Sequence, residues 1–192
     1  FQRHEVESTM VPAACPIPTM YRATSCERSS SRRTSLSRTA LEVAVNVDGH
    51  LLGVRGSMAH DHGAYTPYGV NLPYNAATNF LGPYELPTMS LDVKMALTNM
   101  TPVTPVRGAG RPQGTFAMER LMDRIARELN IDKVEVRRRN LIPTEAMPYD
   151  TQIKTRDGAT KTYDTENYPA ALDAALERSS NNDIRTRQAK AR

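Results

Sequence analysis

The sequence predicts an α+β fold, and three observations carry that prediction. Apolar residues alternate with polar ones along residues 41–47 and again along 89–97, the signature of strands with one buried face. Between residues 118 and 129 the period changes to that of a helix, with Met118, Leu121, Met122, Ile125 and Leu129 on one side. The elements read hairpin, long loop, strand, glycine turn, helix and helix, which is not the steady alternation of a doubly wound sheet.

At 192 residues the chain suits one domain, or one domain with part of a second, and a core of ordinary size. Three Phe, no Trp and thirteen prolines make that core lean and point to much irregular chain. The formal charge of +4 comes largely from two local runs, 21–38 and 185–192. Neither run interleaves aromatic residues with its arginines, so both read as solvated basic tails, and no nucleic-acid partner is expected. Cys15 and Cys26 make neither a CxxC pair nor a disulfide framework, which fits a reduced chain in the cytoplasm. No apolar run approaches the length of a membrane span, so no membrane partner is expected. The chain opens on Phe and stops in a charged stretch, and it reads as a piece of something longer.

Taken in order, residues 1–38 show neither period and form a basic, Ser-rich arm in which FQRHEVE (1–7) could make a short strand. In ALEVAVNVDGHLLGVR (40–55), Leu41, Val43, Val45 and Val47 share a face. Asp48-Gly49 is a type I′ hairpin pair, and Leu51, Leu52 and Val54 begin the return strand. Residues 58–87 are rich in Gly, Pro, Asn and Tyr and read as a long loop, whose Tyr65, Tyr68, Tyr74 and Tyr84 either line a pocket or cover a core edge. Residues 88–99 form a strand with Met89, Leu91, Val93, Met95 and Leu97 on one face. A helix comes next over 112–130, with Pro112 in its first turn and Asp123/Arg127 and Arg124/Glu128 as outer pairs. Asp132 with Glu135 predicts a capping box for a short helix over 133–139, ended by Asn140. Residues 141–166 are turn-rich, with a small hairpin at Asp157-Gly158. A last helix spans 168–179 with Leu172, Ala175 and Leu176 inward.

Chemistry concentrates at Arg107-Gly108-Ala109-Gly110-Arg111. Glycines free the backbone to approach a ligand, the helix beyond points its positive end there, and the arginines can hold oxyanions. The plainer alternative is a tight strand-to-helix turn with solvated arginines. The run lacks the third glycine of a dinucleotide fingerprint and the Lys-Ser/Thr of a phosphate loop. His60-Asp61-His62 has the spacing of a metal pair on a strand, but without a third ligand it reads as two polar histidines at a strand end. Glu119 and Asp123 lie on the polar face of their helix and read as solvated.

The run TNMTPVTPVRGAGRPQGTFAMERLMDRIARELNIDKVEVRRRNLIP (98–143) resembles the molybdenum-cofactor-binding large subunit of the xanthine dehydrogenase/aldehyde oxidase family, in the branch named after carbon monoxide dehydrogenase. Thr98-Asn99, Arg107 to Gln113, Glu119-Arg120-Leu121-Met122-Asp123 and Arg137 to Asn140 carry the resemblance. DHGAY (61–65), GPYELP (82–87), MPYDT (147–151) and NYPAALDAALER (167–178) extend it, so it covers about residues 40–192. It implies part of the molybdopterin-binding domain, a mixed sheet with packed helices. Residues 39–143 would belong to a first cofactor-binding domain, and 144–192 to a connection and the start of a second. The implied activity is hydroxylation of an aldehyde or N-heterocycle C–H with oxygen from water. The implied cofactor is molybdenum-molybdopterin, in its cytosine dinucleotide form, with [2Fe–2S] clusters and FAD on partner subunits and a homodimer of heterotrimers as the assembly. Arg107, Gly108, Ala109 and Gly110 would lie at the metal end of the cofactor, with Ala109 toward the substrate pocket. Carbon monoxide dehydrogenases hold copper with a Cys one residue after the Arg, where this chain has Gly108, which argues against carbon monoxide as substrate. The family's glycine-rich cofactor motif and its C-terminal catalytic glutamate have no counterpart here, so no catalytic residue is expected in this chain. A catalytically inactive remnant or interaction module with a basic arm is the alternative.

Overall fold

The computed structural model describes residues 25–28, 37–65, 68, 70–155 and 157–191. Its first element, β1 (Ser25–Arg28), lies inside the basic arm and carries Cys26. FQRHEVE and Cys15 fall outside the described residues. Strands β2 (Ser37–Val45) and β3 (Leu51–Asp61) form the expected hairpin, antiparallel, with Val43 opposite Val54.

The hairpin turn departs from type I′. That turn requires positive φ at both central residues, and of Asp48 and Gly49 only Gly49 has it, at 84°. The turn closes instead through the Gly49 N–H to the Asn46 carbonyl (3.0 Å), while the Asn46 side-chain oxygen accepts from the Asp48 and His50 N–H groups. Val47 thereby leaves the apolar strand face and is 68% exposed.

Strand β4 pairs with β3 in parallel, with Met58 opposite Val93, and spans Met89–Ala96. Sheet order is β1-β2-β3-β4. A parallel neighbour needs a crossover, and the crossover contains a helix, α1 (Asn71–Thr78), in the region expected to be wholly loop. Pro73 fits within its first turn, where a missing N–H costs nothing, and Leu72, Pro73 and Ala76 are buried. A β-α-β unit is therefore embedded in the α+β fold. On β4 the apolar face is only half realised: Met89 and Leu91 pack on the core, whereas Val93, Met95 and Leu97 are exposed.

Helix α2 (Arg111–Glu128) lays its expected stripe on the sheet, burying Met118, Leu121, Met122 and Ile125 against Leu41, Val43, Val45, Val54 and Phe80. Helix α3 (Lys133–Asn140) starts on Asp132, whose carboxylate accepts from the Val134 and Glu135 N–H groups. The capping box is one-sided, since the Glu135 carboxylate accepts from Arg139 instead. Asn140 does more than end the helix. Buried, its side-chain oxygen accepts from the Leu51 N–H (2.7 Å) and its amide donates to the carbonyls of Gly49 (2.8 Å) and Val136 (2.7 Å), tying α3 to the hairpin.

Glu119 and Asp123 are not solvated as expected. Arg137 of α3 donates to Glu119 (2.8 Å) and to Asp123 (3.0 Å), and Lys133 adds a bond to Asp123 (3.0 Å). The buried Tyr84 donates its hydroxyl to Glu119 (2.7 Å). Arg124 and Glu128 do pair on the outside, at 3.6 Å. Of the four tyrosines, Tyr84 is thus a core residue, whereas Tyr65 and Tyr68 are exposed.

A second sheet holds β5 (Tyr149–Lys154) and β6 (Thr160–Tyr163), antiparallel and joined through the expected turn at Asp157-Gly158. Helix α4 (Tyr168–Arg178) buries no residue fully, and Ala175, expected inward, is exposed. The C-terminal basic run is helical as α5 (Asn181–Lys190), not a tail. Exposed ion pairs link these helices to the rest, Arg138 with Asp173 and Arg185 with Asp132.

Candidate functional site

Residues 97–110 carry the chain from β4 into α2, and Pro105 to Gly110 make its last turn. Gly108, Ala109 and Gly110 all take positive φ, at 108°, 41° and 95°. Short bonds brace the turn, from the Ala109 N–H to the Val106 carbonyl (2.8 Å) and from the Arg111 N–H to the Gly108 carbonyl (2.9 Å). The two glycines have different surroundings. A Cβ on Gly110 would sit 2.0 Å from the Leu72 carbonyl oxygen, and one on Gly114 would sit 2.4 Å from that of Ala76. Helices α1 and α2 therefore run side by side in the same direction with backbones touching, and their N-termini share one end. Gly110 serves that contact. A Cβ on Gly108 would meet only the Pro112 ring, at 3.4 Å.

At this shared end Arg107 and Arg111 are exposed. At the opposite, C-terminal end of α1, Lys161 of β6 donates to the Thr78 carbonyl (3.1 Å) and the Asn79 side-chain oxygen (2.8 Å). Burial pulls its ammonium below the ordinary lysine value, and the Arg111 charge adds to that effect. Val106 beside Arg107 is 81% exposed, and Phe116 one turn into α2 is also exposed. Open clefts of about 520 Å³, beside Asp132 and Arg185, and about 440 Å³, beside Glu42 and Arg55, include no residue of the turn.

The run that leads to the turn is seated on the end of β3. His62 donates its N–H to the Ala96 carbonyl (2.9 Å) and accepts from the Val103 N–H (3.1 Å). Gly63 accepts from the Thr98 N–H (3.1 Å), and Ala64 donates to the Met100 carbonyl (2.8 Å). The Asp61 carboxylate accepts from the Gly63 N–H (3.0 Å) and the Thr98 hydroxyl (2.8 Å), and these two bonds hold it below the usual carboxylate range. His60 and His62 do lie at the end of β3, and both are buried. They are 4% and 0% exposed, with ring centroids 5.5 Å apart. Burial, and then the neighbouring His62, holds His60 below the ordinary histidine value, and Asp61 opposes this. Both ring nitrogens of His62 lack a hydrogen-bond partner among the described residues. No group of three metal-ligating side chains occurs among those residues. The histidine spacing did signal one shared face; the missing information was what covers it.

The chain is similar to known proteins in sequence and in fold. The chain is 36% identical over 110 residues to the gamma subunit of the 6-hydroxypseudooxynicotine dehydrogenase complex of Paenarthrobacter nicotinovorans, covering 57% of this chain and 14% of that protein. It is 32% identical over 140 residues to the carbon monoxide dehydrogenase large chain of Hydrogenophaga pseudoflava, covering 71% of this chain and 17% of that protein. Its fold matches quinoline 2-oxidoreductase of Pseudomonas putida 86 with a TM-score of 0.71 and 30% identity, over 81% of this chain and 20% of that one. The chain thus spans under a quarter of the length of each of these relatives. Residues 16–141 match the model of the molybdopterin cofactor-binding domain, and the chain belongs to that family, among the molybdenum-binding subunits related to xanthine dehydrogenase.

Proposed function

We propose that the chain is a segment of the large subunit of a molybdenum hydroxylase, and that its Arg107–Gly110 turn borders the metal end of the cofactor. The observation that supports this most is the turn itself. It presents exposed Arg107 and Arg111, a Gly108 approached only by the Pro112 ring, and the positive ends of two parallel helices. Those features fit an anionic, oxygen-rich group. Arg107 would donate hydrogen bonds to it, the Gly108 and Ala109 backbone would lie against it, and Ala109 would border the substrate pocket. Gly110, packed on α1, would hold the turn in place from behind.

The bound cofactor would supply insertion of a water-derived oxygen into a substrate C–H bond, with two electrons leaving. The substrate class is an aldehyde or N-heterocycle. FAD and [2Fe–2S] clusters on partner subunits would carry the electrons, and the cytosine dinucleotide form of molybdopterin is the cofactor proposed. A family glutamate elsewhere in the longer polypeptide would act as base, since this chain has no counterpart. Gly108 offers no thiol for copper, so the proposed substrates do not include carbon monoxide.

The test is to express the longer polypeptide with its neighbouring subunits and measure molybdenum and pterin in the purified complex. Both are expected near one per large subunit, and a folded complex holding neither would overturn the proposal. Arg107→Ala should lower retained pterin or turnover by about tenfold, the loss of one charged hydrogen bond, whereas unchanged values would remove Arg107 from the site.

A further inference from the structure

We propose that β4 is a self-complementary edge, and that two copies of this chain join through it into one continuous sheet, antiparallel about a two-fold axis at Val93. Sheet order is β1-β2-β3-β4, so β4 has β3 on one side and, among the described residues, no strand on the other. The Thr88 and Ala96 carbonyls turn toward β3, where they accept from the Val54 (3.1 Å) and His62 (2.9 Å) N–H groups. Backbone groups alternate sides along a strand, so Leu91, Val93 and Met95 point their N–H and C=O groups to the open edge.

Proteins usually guard such an edge with a bulge, a proline, an unmatched charge or a very short strand. The opposite edge, β1, is short, at four residues. Strand β4 is eight residues long, contains no proline and pairs with β3 in unbroken register. Its one lysine, Lys94, is matched by Asp92 on the same face at 3.1 Å, so the strand carries no net charge to repel a copy of itself. From Asp92 to Ala96 every residue is exposed, Val93 and Met95 among them.

Register selects a second copy as the occupant. Only antiparallel pairings that set odd-numbered residues opposite one another bring the open N–H and C=O groups face to face. Of these, a two-fold axis at residue 92 sets Asp92 against Asp92, and one at residue 94 sets Lys94 against Lys94. Axes at 91 or 95 oppose no charges and shorten the overlap. An axis at Val93 sets Asp92 of each copy opposite Lys94 of the other on one face. On the other face it sets Val93 beside Val93 and Leu91 beside Met95, covering apolar surface that the single chain leaves exposed. The pairing uses no residue of the Arg107–Gly110 turn and does not rest on the function proposed above.

Sedimentation velocity of the 192-residue chain tests this. As concentration rises, the mass should climb from the 21.3 kDa of one chain toward twice that. Asp92→Lys and Lys94→Glu each set like charges opposite one another at both places, and each should weaken dimerisation about tenfold. The two side chains are 60% and 74% exposed, so either variant keeps the fold, which circular dichroism checks. Mixed in equal amounts, the two variants again oppose lysine to acid at both places, and the mixture should dimerise as the wild type does. A chain that stays monomeric overturns the proposal and leaves the edge to another strand of the longer polypeptide. A dimer that both variants leave intact, or a mixture that does not recover, overturns it too. Should a variant not fold, amide exchange of the wild type decides. Protection of the Leu91, Val93 and Met95 amides should grow with concentration, while the Asp92 and Lys94 amides, which face β3, hold steady; no growth at the three outward amides refutes the pairing. Molybdenum content plays no part in these outcomes, so the two proposals fail separately.

Discussion

Gly108 and Gly110 stand two apart in one turn, and substitution separates their roles. Alanine at Gly110 must adopt a φ near 95° and place its Cβ 2.0 Å from the Leu72 carbonyl, so α1 and α2 have to separate. Gly110→Ala should cost about 3 kcal/mol in urea unfolding, from backbone strain and overpacking together. Gly108→Ala meets only the flexible Pro112 ring and should cost about 1 kcal/mol, from φ alone. Equal losses would mean that helix contact is not what Gly110 serves. In sequence both glycines read as ligand-facing. The run Arg-Gly-Ala-Gly-Arg marks a turn with positive φ, but its partner α1 lies some forty residues upstream, in a stretch whose composition reads as loop. Local pattern cannot report what a glycine is pressed against.

Among the elements, α2 and α3 are joined by charge as well as by apolar packing. Burial pushes the Asp123 carboxyl up, but hydrogen bonds from Lys133 and Arg137, with their charges, outweigh it and hold it below the ordinary aspartate value. A depressed carboxylate stabilises above the unfolded-state pKa, and its contribution is lost as pH falls through the folded value. Asp123→Asn should therefore lower stability by about 2 kcal/mol at neutral pH, and the gap to wild type should close as pH drops below about 4. Chemical denaturation across that range measures it, and a gap constant with pH would refute the ionic origin. The helices themselves were legible because the stripe from Met118 to Leu129 repeats over several turns and Asp132 caps α3. Their joining was not, because Glu119 and Asp123 find their partner Arg137 on a different helix rather than at i+4. Helix α1 was hidden because Pro, Asn and Tyr interrupt barely two turns, and α5 because no apolar face marks it.

At the scale of the molecule, buried apolar contact is concentrated in the β2–β3 hairpin, α2 and residues 80–86, while α4 and α5 bury nothing fully. Exposed ion pairs such as Arg138–Asp173 hold the C-terminal helices, and such pairs are weak and salt-sensitive. Amides of 168–191 should exchange with far less protection than those of 114–140, and more so as salt rises; uniform protection would show that the C-terminal helices are part of the cooperative core. The α+β class was readable because both periods stand clear in the chain, but the parallel pairing of β4 was not, since alternation looks the same in either direction. That pairing has a consequence in time. The β2–β3 hairpin closes through a short turn, whereas β3 and β4 can meet only after the whole crossover has collapsed, at a larger cost in chain entropy. The 61–64 seat and the arginine turn behind it cannot form before that meeting. The part of the chain proposed to face the cofactor thus finds its place after the hairpin, and a nascent chain carries its apolar hairpin well before it carries a site.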